Sequence, residues 1–96
     1  MELFIFARFH AREGQEASVQ AALSEQVRFT RTEPGCLMIH AFRATHDARQ
    51  FFIHSRWRDE AAFDVHAELP NTLRFVERME QLIDHPFDAV RAHDVA

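Results

Sequence analysis

Residues 3 to 10, LFIFARFH, are rich in β-forming aromatics and isoleucine, and a strand there is apolar on both faces. Phe4 and Phe6 lie at one parity, with Leu3, Ile5, Ala7 and Phe9 at the other. Cys36 to Ala44 (CLMIHAFRA) and Gln50 to Trp57 (QFFIHSRW) repeat the pattern, with Met38, Phe42 and Phe52 opposed to Leu37, Ile39, Ala41, Phe51, Ile53 and Trp57. A layer of helices can cover only one face of a sheet built from such strands. The stretch after Pro86 is too short to cover the other. A second copy of the chain, packed sheet to sheet about a two-fold axis, solves the problem for both copies, so a homodimer is expected.

The remaining elements follow from period and punctuation. From Gln15 to about Thr32, Val19, Ala22, Leu23, Val27 and Thr30 recur at three- and four-residue spacing, which predicts an amphipathic helix ending before Pro34-Gly35. The polar residues 45–49 join the second and third strands as a hairpin. Asp59 suits a helix cap, Pro70-Asn71 breaks the helical run that follows, and Leu73, Val76, Met79, Leu82 and Ile83 carry it on to Asp84-His85-Pro86. A last strand from Phe87 to about His93 completes the order β-α-β-β-α-β. That is an α+β, ferredoxin-like plait: a four-stranded antiparallel sheet with helices on one face.

Ninety-six residues with no linker, 47% of them hydrophobic, make one domain spanning 1–96. A formal net charge of −4 gives no footprint for nucleic acid or an acidic membrane surface. The opening apolar run is shorter than a secretory or spanning segment, and the lone Cys36 cannot form an intrachain disulfide, so a soluble cytoplasmic protein is expected. Every basic residue is arginine and tyrosine is absent, which removes lysine Schiff-base and phenolic acid–base chemistry.

Pairing the hairpin about residues 45–49 sets Leu37, Ile39 and Ala41 on the side of Ser55 and Trp57, and His40 with His54 on the other. On that register the helix-facing pocket is lined by Phe9, Ile39, Phe51, Ile53, Ser55 and Trp57 from the sheet and by Phe63, His66 and Leu69 from the second helix. Such a pocket suits a flat, largely apolar ligand held by one or two hydrogen bonds. His66 is its one proton-transfer group, an imidazole being the side chain suited to a general base near neutrality; the competing expectation is a helix-surface histidine bonded only to water. Trp57, taken alone, reads first as a plain core residue with its ring N–H satisfied. His40 and His54 carry no accompanying H-E-x-x-H, C-x-x-C or carboxylate spacing, so no metal is expected there, and Cys36 reads as a buried, inert thiol.

Three segments carry a family resemblance: Glu33-Pro-Gly-Cys-Leu, Phe51-Phe-Ile-His-Ser-Arg-Trp57-Arg-Asp-Glu-Ala-Ala-Phe63, and His66-Ala-Glu-Leu-Pro70. Together with the opening strand and its Gly14 turn, they resemble the antibiotic biosynthesis monooxygenase family of dimeric α+β barrels, whose small members include quinol monooxygenases. The resemblance implies oxygenation of an electron-rich phenol or quinol by dioxygen without flavin, haem or metal. It casts His66 as the base or its hydrogen-bonding partner, and Trp57 as a pocket wall offering one N–H. Many members carry a glutamate two residues before the tryptophan; here that position is Ser55. Haem-degrading relatives use an Asn-Trp-His set, but the strand-one position for the asparagine falls near Ala7 and the only asparagine is Asn71. Relatives that isomerise small phosphorylated diketones need a cationic pocket, which Arg43 or Arg56 could supply only in a different register. The alternatives to a monooxygenase are therefore such an isomerase and a non-catalytic ligand-binding dimer.

Overall fold

The computed structural model describes residues 1–96, in the order β1 (Leu3–His10), α1 (Glu16–Thr30), β2 (Cys36–Arg43), β3 (Gln50–Trp57), α2 (Glu60–Glu68), α3 (Pro70–Leu82) and β4 (Asp88–Ala92). The strands form one antiparallel sheet in the order β2-β3-β1-β4, the ferredoxin-like arrangement that the element order predicts. α1 turns Val19, Ala22, Leu23, Gln26, Val27 and Thr30 inward as a single stripe, while Gly14, at φ +84°, makes the turn that lets the chain leave β1 for this helix. Asp59 caps α2 by accepting from the Ala62 N–H at 2.9 Å. Pro70 breaks the helical run as the sequence indicates, yet it also opens α3, where a missing N–H costs nothing.

The hairpin register agrees with the pairing about residues 45–49: Ile39 lies opposite Ser55, His40 opposite His54 and Ala41 opposite Ile53. One residue departs from it. A bulge between Cys36 and Met38 leaves Leu37 unpaired and exposed, and Cys36 takes the place beside Trp57 that simple alternation assigns to Leu37. Burial, and then the charge of Glu33, push the Cys36 thiol up, which keeps it protonated and unreactive near neutrality.

The helix-covered face holds two groups of buried side chains. The larger joins Ala7, Phe9, Phe51 and Ile53 of the sheet to Val19, Leu23 and Val27 of α1 and Met79 of α3; the smaller is Leu3, Ile5 and Trp57. Across the other face run Phe4, Phe6, Met38, Phe42, Phe52 and Val90, and within one chain nothing covers them. Phe6, Phe42 and Val90 remain 47%, 51% and 53% exposed.

At the end of the sheet where β1 stops, a small ionic cluster ties three segments together. His10 Nδ1 lies 2.7 Å from Asp84 of the α3–β4 link, and its Nε2 lies 3.0 Å from Asp47 of the hairpin loop. His85 sits 2.6 Å from the other oxygen of Asp84, and the Arg49 N–H donates to Asp47 at 2.9 Å. A neutral imidazole donates from one nitrogen only, so two carboxylates on one ring call for the imidazolium. Accordingly His10 is raised, first by its bond to Asp84 and then by that to Asp47. Asp47 is lowered, chiefly by the Arg49 N–H and then by His10, and Asp84 is lowered chiefly by His10.

The stability this clasp contributes is therefore present in full below the unfolded histidine value of about 6.5 and is lost as pH rises through the raised folded value; the aspartates' share is present above about 3.9 and is lost as pH falls through their lowered values. Thermal melts of the wild type and His10→Gln from pH 3 to 9 should differ most in the window between those limits and converge outside it. A difference that stays constant with pH would show that the clasp is not ionic.

Candidate functional site

Between the sheet and the α2–α3 layer lies a cavity of about 250 Å³. Ile5, Ala7, Phe9, Ile39 and Ile53 form its floor; Phe63, Ala67, Phe75 and Val76 of the helices, with Phe87 and Ala89 beside β4, form its walls and rim. Only four lining residues carry polar side chains: Gln26, Ser55, His66 and Thr72. The volume falls just below the ~300–1,000 Å³ of typical ligand pockets, and an apolar lining with few convergent polar groups is their usual character.

His66 is the only residue of α2 that is fully buried, at 8% exposure, so it is not the water-bonded surface histidine that the sequence also allows. Its Nδ1 lies 2.9 and 3.0 Å from the two carboxylate oxygens of Glu33 and 3.4 Å from the Thr72 hydroxyl, which in turn accepts from the Gln26 amide at 3.4 Å. A carboxylate accepts but cannot donate when ionised. The proton is therefore held on Nδ1, and the lone pair of the neutral ring is placed on Nε2, an atom with no partner in the chain. This arrangement orients a base: one nitrogen is committed to an anion behind it, and the other is left for a ligand.

Glu33 reaches this histidine through the turn that ends α1. The Cys36 N–H donates to the Glu33 carbonyl at 3.1 Å, closing a turn with Pro34 and Gly35 at its centre. Gly35 is not in the left-handed region; it is needed because a Cβ there would collide with the Cβ of Ala62. The turn thus lies directly on α2, one helical turn from His66. Sequence reasoning reads Glu33 only as part of a turn, because nothing local connects it with a histidine 33 residues away. Thr72 and Gln26 are missed for the opposite reason: both sit on amphipathic stripes and look like helix surface or core.

Of the sequence-derived lining residues, Phe9, Ile39, Ile53, Ser55, Phe63 and His66 face the cavity. Phe51 and Trp57 do not line it: both are packed into the core, and Leu69 caps the junction between α2 and α3. Trp57 acts from behind. Its ring centroid lies 4.6 Å from that of His66 and 5.5 Å from that of Phe63, and its indole N–H donates to Ser55 Oγ at 3.0 Å. That N–H is therefore committed to Ser55 and is not free for a ligand. Ala7 lines the cavity at the strand-one position discussed above, whereas Arg43 and Arg56 lie outside it.

The sequence model of the family described as "Antibiotic biosynthesis monooxygenase" matches residues 3–78. The protein named "Putative monooxygenase YcnE" of Bacillus subtilis is 31% identical over 65 residues, 68% of each chain. "Putative monooxygenase Rv0793" of Mycobacterium tuberculosis is 26% identical over 82 residues, covering 85% of this chain and 80% of that one. The solved structure of Rv0793 superposes with a TM-score of 0.94 at 21% identity, over 100% of this chain and 97% of that one, a likeness of fold. An uncharacterized Synechocystis protein, sll1783, is 32% identical over 57 residues, which is 59% of this chain and 39% of that longer protein.

If the contact of Gly35 with Ala62 is what brings Glu33 to His66, Gly35→Ala should lower folding stability by about 1–3 kcal/mol, as overpacking does. It should also detach the carboxylate. Urea unfolding checks the first effect, and the loss of the hydrogen-bonded Nδ1–H resonance of His66 in proton NMR checks the second.

Proposed function

The chain belongs to the antibiotic biosynthesis monooxygenase family, and on that premise we propose that it oxidises a small phenol or quinol with dioxygen as co-substrate and with no added redox cofactor. The observation that carries the reading is the buried Glu33–His66 pair beside an apolar cavity.

His66 Nε2 removes the phenolic proton. The resulting aryl oxide, unlike its neutral parent, is electron-rich enough to pass an electron to dioxygen. The two radicals join as a peroxide on a ring carbon. The proton held on His66 returns to the peroxide, the ring C–H proton is lost, the O–O bond breaks, and water leaves. One oxygen atom stays on the ring as a new carbonyl, so a phenol plus dioxygen gives a quinone plus water. Apolar walls keep bulk water from the charged intermediates while this proceeds. Glu33 holds the ring and its tautomer. Two further facts support this reading over its alternatives. No guanidinium lines the cavity to receive a phosphorylated diketone, and Ala7 supplies no amide of the kind a haem-degrading set requires.

The dimer belongs to the same proposal. Phe6, Phe42 and Val90 stand exposed on a face whose neighbours Phe4, Phe52 and Met38 are already half buried, and a second copy offers the matching apolar surface. Sedimentation should show a dimer for the wild type and a monomer for Phe6→Glu.

Oxygen uptake with a dihydroxynaphthalene or anthrone should exceed background in the wild type and fall by about 10²–10⁴ in His66→Ala, the range that general acid–base catalysis contributes. Glu33→Gln should fall about tenfold or more, as loss of the carboxylate that orients a catalytic histidine does. No uptake across a panel of quinols, or full activity in His66→Ala, would sink the proposal.

A further inference from the structure

We propose that Ser55 is a specificity-determining residue of the cavity, donating its hydroxyl proton to an anionic or carbonyl oxygen on the bound aromatic ring. The inference rests on the reading of the cavity as a site for phenols, and it names what the site selects for: a ligand oxygen that accepts.

Ser55 is 2% exposed and lines the cavity. A hydroxyl brings one donor and two acceptor positions. One acceptor position is filled, because Trp57 Nε1–H donates to Oγ at 3.0 Å, and this is the only hydrogen bond that the Ser55 side chain makes in the chain. Its donor is therefore unused, in a place where desolvation makes an unused donor costly. The side chains around it cannot relieve that. Its cross-strand partners are Ile5 on one side and Ile39 on the other, and the indole N–H is a donor only.

Orientation follows from the same bond. With Trp57 donating into one lone pair, the hydroxyl is turned so that its proton points away from the indole. The same indole packs against His66, with centroids 4.6 Å apart, so the base and the donor are held by one rigid ring. A phenol entering the cavity thus meets an acceptor at His66 Nε2 and a donor at Ser55. Once the proton has moved to His66, the charge on the oxygen strengthens the bond from Ser55, since charge-assisted hydrogen bonds are about twice as strong as neutral ones. An aromatic amine or a bare arene of the same size gains nothing comparable.

The test compares 4-nitrophenolate with nitrobenzene, binding to wild type, Ser55→Ala and Ser55→Thr. The phenolate is followed by its visible absorption and nitrobenzene by calorimetry. Wild type should prefer the phenolate. Ser55→Ala, which also leaves the Trp57 N–H unpaired, should lose about tenfold more affinity for the phenolate than for nitrobenzene, and Ser55→Thr, which keeps the hydroxyl, should restore it. Equal losses for both probes in Ser55→Ala would assign Ser55 a structural role and overturn the inference. So would an undiminished phenolate affinity, or a wild type that takes no phenolate. The binding readout separates the two readings. A Ser55-dependent phenolate site with no oxygen uptake would retire the monooxygenase and keep the donor. Oxygen uptake with phenolate affinity unchanged in Ser55→Ala would do the reverse.

Discussion

A buried indole cannot be left with its N–H unpaired, and in this chain that requirement falls on Trp57, which is 1% exposed. The sheet offers it one acceptor, the hydroxyl two residues earlier on the same strand and the same face, and the resulting Ser55–Trp57 bond sets the site. The ring is then fixed against α2, edge-on to Phe63 and tilted against His66, and His66 in turn is held by Glu33. Each polar group here is oriented by the one behind it. What reaches the cavity is the end of the chain of contacts: a free ring nitrogen and a free hydroxyl proton, surrounded by aliphatic and aromatic carbon.

The division of labour between the faces of the sheet explains why strands of double apolar parity do not conflict with such a site. On the helix side the odd positions of β1 and β3 build the core and the cavity floor: Ile5, Ala7, Phe9 and Ile53 belong to both. On the open side the even positions carry Phe4 and Phe6 stacked on His54, with ring centroids 6.4 and 4.7 Å from it. The open face is therefore ordered on its own, and it is spared any part in the cavity. Substitutions on it do not touch the cavity lining.

Most of the fold was legible because it rests on local signals. Period-two runs, a helical stripe in α1, the Pro34-Gly35 and Pro70 breaks and a hairpin counted outward from residues 45–49 were enough to give element order, topology and register. The bulge at Leu37 escaped because it changes pairing without changing hydrophobicity. The site was half legible. His66 and Ser55 stand out as isolated polar side chains among apolar ones, whereas Trp57 was placed one layer too far forward, because parity tells which face a side chain points to and not how deep it lies. Glu33 was invisible as a partner. Its approach to His66 depends on the missing side chain at Gly35, which permits a contact 27 residues away in the chain, and no spacing rule encodes that.

The sides of the cavity are held by unlike means. The floor is sheet, held by the full antiparallel ladders between β1, β3 and β2, and the helix wall is anchored in the core by Met79 and by the Gln26–Thr72 contact. The remaining wall, Phe87 and Ala89, belongs to the edge strand β4 and the link before it. β4 pairs with β1 alone; beyond that ladder Phe87 packs on Phe9 with ring centroids 5.0 Å apart, and charges tie Asp84 to His10 just before the strand and Arg91 to Glu60 and Asp64 of α2 at 3.0 and 2.9 Å. Exposed ion pairs of that kind contribute only about 0–1 kcal/mol each and weaken with salt. The floor is therefore the cavity's most firmly held side, and a ring larger than about 250 Å³ admits must displace Phe63 and Ala67 of α2 or Phe87 and Ala89 before it displaces the sheet.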